Sequence, residues 1–168
     1  LFTHIGICID PRELRRAEGG QMNQSESSDV VELAVDDAYR FLQDHPETQL
    51  VDVRTRAEWS FVGAPVLPFR AEAPIFLEWQ SWPAMQVDAQ FAARLDEELT
   101  RRGVGAASAL LFICRSGQRS RAAAQAMRAA GRAQCVNVAE GFEGRLDPQG
   151  HRGRIEGWRA AGLPWRQT

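Results

Sequence analysis

The feature that most constrains this chain is the run Ala109-Leu110-Leu111-Phe112-Ile113. These five apolar residues lead directly into Cys114-Arg115-Ser116-Gly117-Gln118-Arg119-Ser120 and then into an alanine-rich segment. An apolar run without alternation suits a strand covered on both faces, because a solvated face would place polar residues at every second position. The segment from Ser120 to Ala130 is rich in alanine and closed by Gly131, which reads as a helix with a glycine stop. A strand buried on both faces and followed by a helix belongs in the interior of a layered sheet.

The rest of the chain repeats the alternation. Val30 to Leu33 is a short β-branched run. Asp36 to Gln43 carries Ala38, Phe41 and Leu42 at helical spacing before Pro46 stops it. Leu50 to Val53 is another apolar strand. Phe91, Leu95 and Leu99 recur every fourth residue in an amphipathic helix reaching Arg101, and Cys135 to Val138 supplies a further strand. Strand and helix in alternation require crossover connections, so the expected fold class is α/β, with a central parallel sheet of about five strands and helices on both faces. Ligands of such sheets bind beyond the carboxyl ends of the strands, which directs attention to the turn from Ile113 to Ser120.

Composition narrows the function classes. With 168 residues, 44% of them hydrophobic, the chain suits one globular domain with a substantial core. A net charge of -2 lacks the basic excess expected of a nucleic-acid binder. All 20 basic residues are arginine, so lysine-based Schiff-base chemistry is excluded. Cys8, Cys114 and Cys135 are odd in number and far apart, which suggests neither a disulfide framework nor a zinc site, so a reducing compartment fits. Residues 1–28, ending in the polar stretch Glu18 to Ser28, read as a flexible leader to a domain over residues 29–168. Met22 is a candidate translation start, the alternative being that the residues before it form a short appendage. Leu1 to Asp10 lacks a preceding basic flank and makes a poor secretory signal. No run approaches the roughly 20 apolar residues that span a bilayer. The expectation is a cytoplasmic protein with no membrane partner.

The loop after Ile113 carries the chemistry. It sets the Cys114 thiol above the positive end of the following helix, where several backbone N–H groups are expected to converge, and such a setting binds anions and favours thiolate over thiol. Gly117 permits tight curvature, and Ser120 is expected to cap the helix with its hydroxyl. A cysteine ending a buried strand is ordinarily an inert small hydrophobe. The Arg-Ser-Gly that follows, with Arg119-Ser120 opening a helix, makes Cys114 a nucleophile instead. Cys135, inside an apolar strand, keeps the inert reading, and Cys8 receives no role.

Together with the upstream Leu50-Val51-Asp52-Val53-Arg54 and Glu58-Trp59, this loop resembles a rhodanese domain, over about residues 30 to 168. Gly141-Phe142 and the stretch Gly157 to Pro164 resemble that family's closing glycine-aromatic turn and terminal helix. Two departures stand out. Val62-Gly63-Ala64-Pro65 lacks the histidine usual after the Glu-aromatic pair, and residues 145–156 look inserted, as a flap near the site. Within that insertion His151 reads as a solvated loop residue. Trp79 and Trp82 read as lid packing, with lining of a substrate approach as the alternative.

The resemblance implies a sulfurtransferase. Cys114 would take a sulfane sulfur from a small donor such as thiosulfate, and cyanide or a cellular thiol, on a small molecule or a protein, would remove it. Arg115, Ser116, Gly117, Gln118, Arg119 and Ser120 would form the anion-binding loop. Arg115 or Arg119 would pair with a sulfonate group, and Asp52, Arg54 and Glu58 would support the sheet edge as a charge network. No metal or organic cofactor is implied, and thiosulfate and mercaptopyruvate remain alternative donors. Two rivals stand beside this reading. A persulfide carrier would deliver sulfur without turning over small donors. A cysteine phosphatase or arsenate reductase would use a similar loop, but with five residues between Cys and Arg where this chain has the four from Arg115 to Gln118.

Overall fold

A computed structural model describes residues 30–167. The leader expected over residues 1–28, with Cys8 and Met22, lies outside them. The elements in chain order begin with β1 (Val31–Leu33), α1 (Val35–Asp44), β2 (Gln49–Asp52), α2 (Arg56–Phe61), β3 (Ala64–Pro65) and β4 (Ile75–Phe76). There follow β5 (Gln80–Ser81), β6 (Gln86–Val87), α3 (Phe91–Arg101), β7 (Leu110–Ile113), α4 (Gln118–Ala129), β8 (Cys135–Val138) and β9 (Trp165–Arg166).

Five strands form one parallel sheet in the order β1-β8-β7-β2-β4, as the alternating pattern predicts. The continuous apolar run is explained by β7, which lies at the centre and sends successive side chains to opposite faces. Leu111 and Ile113 join Leu50, Val136 and Val138 under α1, whose buried Val35, Ala38 and Leu42 fall on one stripe. Leu110 and Phe112 join Val51 and Ile75 on the other face, under Phe91, Leu95 and Leu99 of α3 and Ala123, Ala124 and Met127 of α4. Both faces are therefore covered by helices.

The structure adds β4, a two-residue strand paired in parallel with β2, which is too short to produce a periodic signal. It also departs from expectation at the C-terminus. Residues 157–164 form turns rather than a terminal helix, because Gly157, Gly162 and Pro164 leave too few residues between helix breakers. Instead the fully buried Trp158 donates its indole N–H to Pro164 O at 2.8 Å, and the chain ends in β9, antiparallel to β3. Among the described residues no helix is long and apolar enough to cross a membrane.

Candidate active site

Cys114 directly follows β7, and its sulfur is held from the helix side. The Gly117 N–H donates to Cys114 Sγ at 3.1 Å, and the Ser120 hydroxyl lies 3.2 Å from the same sulfur. Two expectations change here. Of the several backbone N–H groups expected to converge, only that of Gly117 bonds the sulfur among the described residues, with a side-chain hydroxyl as the second donor. The helix is capped not by Ser120 but by the backbone of Gly117, so Ser120 sits inside the first turn of α4. That position is what points its hydroxyl at the sulfur, while Gly117 O, 3.1 Å away, offers the hydroxyl proton an alternative acceptor. An anionic sulfur is a stronger acceptor than the carbonyl and would receive the hydroxyl's hydrogen bond.

Loop curvature depends on two glycines. Gly117 has φ +92°, and a Cβ on it would lie 2.0 Å from Ala139 O. Gly141 has φ +66°, and a Cβ there would lie 2.5 Å from Cys114 O. Close approach at residue 141 lets the following turn clamp the loop: Phe142 N–H donates to Cys114 O at 2.7 Å, and the Glu143 and Gly144 N–H groups donate to Arg115 O. Asn137, a buried polar residue in β8, donates to Gly117 O at 3.1 Å and to Glu32 at 2.8 Å. Gly117→Ala therefore combines left-handed strain, about 1–3 kcal/mol, with a backbone clash. The expected outcome is a lowered melting temperature together with a slower alkylation of Cys114 by iodoacetamide.

The side chain of Cys114 is only 1% exposed, yet it borders a cleft of about 1000 Å³. Arg115, Ser116, Gln118, Arg119 and Glu58 line the same cleft, whereas Gly117 and Ser120 are buried behind the cysteine. Asp52 and Arg54 lie beneath. Both are completely buried, with Arg54 Nη2 2.6 Å from Asp52 Oδ2 and 2.8 Å from Gly63 O. The guanidinium stacks on the Phe142 ring at 4.0 Å, so this pair braces the turn that clamps the loop.

Glu58 joins two elements. Thr55 and Glu58 form a reciprocal capping box at the start of α2, and both carboxylate oxygens of Glu58 accept from Arg119, at 2.9 and 2.6 Å. Burial alone would raise the pKa of Glu58, but the Arg119 and Thr55 donors outweigh it and hold the carboxyl at about 2, against an ordinary 4.5. Burial would lower the pKa of Arg119, but Glu58 reverses the sign and raises it, so the guanidinium stays charged. A carboxyl depressed in this way contributes its stability fully above pH 4.5 and loses it as pH falls toward 2. With both side chains partly solvated, that contribution is about 2 kcal/mol. Glu58→Gln is expected to lower stability at neutral pH by about that amount and to flatten the melting-temperature profile over this acid window; an unchanged profile would contradict the assignment.

The expected flap is in place, with Leu146, His151, Arg152 and Arg154 of the 145–156 segment forming one wall of the cleft. His151 is exposed, as expected, and its Nδ1 stands 3.6 Å from Asp147. Trp79 packs edge-on against Phe91 in the core, whereas Trp82 is 68% exposed and lines the cleft. Cys135 is buried, and burial pushes its thiol up to about 12, in keeping with an inert role. Among the described residues no cluster of histidines, cysteines and acids is arranged to hold a metal. Sequence reasoning missed Thr55 and Asn137. The first was readable from the Thr-x-x-Glu spacing, the second as a polar residue inside an apolar strand.

A parallel sheet carrying a cysteine at a strand-to-helix turn, clamped by a glycine-aromatic turn, defines an α/β protein of the cysteine-loop type. The chain belongs to the rhodanese-like family, whose Rhodanese-like domain model matches residues 34–146. It is 33% identical over 129 residues to the uncharacterized protein RC0915 of Rickettsia conorii, covering 77% of this chain and 91% of that one. It is also similar to the crystal structure of Rv0390 from M. tuberculosis, with a TM-score of 0.74 and 40% identity over 83% of this chain and 98% of that one. Two more distant structures share the fold. One is a polysulfide-sulfur transferase homodimer from Wolinella succinogenes, with a TM-score of 0.50 and 22% identity over 94% of this chain and 86% of that one. The other is RPA3614 from Rhodopseudomonas palustris, described as a possible tyrosine phosphatase, with a TM-score of 0.52 and 16% identity over 88% and 100%.

Proposed function

We propose that the protein is a sulfurtransferase that moves a sulfane sulfur through a persulfide on Cys114. The observation that carries this reading is the pair of donors on one sulfur, the Gly117 N–H and the Ser120 hydroxyl, at the N-terminus of α4 and at the edge of a cleft. They stabilise an anionic sulfur together with the helix dipole. The Cys114 thiolate attacks the outer sulfur of thiosulfate, the sulfur–sulfur bond of the donor breaks, and sulfite leaves with the electron pair. Cyanide or a cellular thiolate then attacks the outer sulfur of the persulfide and releases Cys114 as thiolate. The chemistry requires neither a metal nor an organic cofactor, and a reducing cytoplasm suits it.

The two arginines divide the work. Arg119 is bound bidentately by Glu58 and supports the site through its charge. The exposed Arg115 side chain has no bonding partner among the described residues, so it is the arginine free to receive the sulfonate of a donor by charge-assisted hydrogen bonds. The same geometry weighs against a phosphatase, in which the loop arginine must itself hold the oxyanion. The assay is transfer from thiosulfate to cyanide, with an aryl phosphate as control. Thiocyanate without phosphate release is expected. Phosphate release without thiocyanate would overturn the reading, and a persulfide that forms but does not discharge to cyanide would favour the carrier.

A further inference from the structure

Seven large apolar side chains are exposed among the described residues, and three of them line the cysteine cleft: Phe61 at 80%, Trp82 at 68% and Leu146 at 51%. They come from three separate segments: the end of α2, the tip of the β5–β6 hairpin and the 145–156 loop. A single exposed apolar residue is ordinary, but convergence from unrelated segments around a reactive sulfur marks an interaction surface. Charge points the same way. Five arginines line the cleft against Glu58 and Glu143, and the cations outnumber the acids even with Asp147 counted, in a chain whose net charge is -2. Size does too, since a cleft of about 1000 Å³ has room on the order of thirty water volumes, far more than a small sulfur donor fills.

We propose that this rim docks the sulfur acceptor, and that the acceptor is a protein thiol on a segment carrying both apolar and acidic side chains. The inference rests on the sulfur-transfer reading and names its second substrate. A small thiol reaching Cys114 has too few atoms to cover Phe61, Trp82 and Leu146 together, whereas a chain segment crossing the cleft covers all three and meets the arginines with its carboxylates. The acceptor thiol loses its proton to solvent, and its thiolate attacks the outer sulfur of the Cys114 persulfide. The enzyme's sulfur–sulfur bond breaks, and Cys114 departs as thiolate, leaving the persulfide on the acceptor.

The probes are a short synthetic peptide with one cysteine among leucine, phenylalanine and glutamate residues, its counterpart with lysine for glutamate, and free cysteine. Discharge of the Cys114 persulfide is expected to be at least about tenfold faster with the acidic peptide than with either comparator. The advantage should vanish in Phe61→Ser/Trp82→Ser, while that variant discharges to cyanide at the wild-type rate. Equal rates for the three thiols, or an advantage kept by the double variant, would overturn the proposal. So would light scattering that shows a wild-type dimer dissolved by the double variant, because the rim would then join two copies of this chain. The acidic peptide with serine for cysteine, titrated by calorimetry, reads docking without chemistry. If no persulfide forms with any donor, the sulfur-transfer reading fails, and that titration still decides the surface: binding to the wild type and not to the double variant supports it, and no binding overturns it.

Discussion

Cys114→Ser is expected to fold normally and to lose transfer from thiosulfate to cyanide by at least about 10⁴-fold, the scale seen when a covalent nucleophile is removed. Serine keeps an acceptor beneath the Gly117 N–H and the Ser120 hydroxyl, so neither donor is orphaned, and the change of one atom leaves no cavity worth more than about 1 kcal/mol. A hydroxyl at this position is a far weaker nucleophile than a thiolate and forms no persulfide. Melting curves that overlay with the wild type, measured beside the activity assay, separate this outcome from unfolding. Activity retained in the variant would place the chemistry elsewhere.

The largest effect on stability is expected from Arg54→Ala. Arg54 and Asp52 are both fully buried, and the guanidinium also bonds Gly63 O and stacks on Phe142. Its removal leaves the Asp52 carboxylate buried without a cation, held among the described residues only by the backbone N–H of residue 54, at a cost of about 3–5 kcal/mol, and loosens the turn that holds the cysteine loop. Asp52→Leu/Arg54→Met should be less damaging than the single change, because it removes both charges and fills the space with apolar atoms. Denaturant unfolding of the two variants checks the order. A double variant weaker than the single would show that the pair contributes net stability and does more than cancel a desolvation cost.

The parts of this fold legible in the sequence are those where one physical demand dominates. Ala109 to Ile113 reads as a strand buried on both faces, and Phe91, Leu95 and Leu99 as a helix stripe; the structure follows both. The place of Cys114 at a strand-to-helix turn was legible because an apolar run ends where an alanine-rich segment begins. Less could be read where short elements depend on distant partners. β4 exists only by pairing with β2, and the terminal turns are shaped by the burial of Trp158. Ser120 was expected to cap the helix, but the left-handed turn at Gly117 starts the helix at Gln118, so the Ser120 hydroxyl falls within the first turn and meets the Cys114 sulfur instead. The Glu58–Arg119 pair was hidden because the two residues lie 61 apart in sequence, and only the fold brings them into contact. Convergence of Phe61, Trp82 and Leu146 on one cleft is likewise a product of topology.

The central claim is that the Cys114 sulfur accepts and holds another sulfur. After incubation with thiosulfate and removal of the donor, mass spectrometry of the intact protein should show the gain of one sulfur atom, mapped by peptide digestion to Cys114 and removed by cyanide. An unmodified Cys114 under those conditions, or a sulfur carried by Cys135 in its place, would contradict the account.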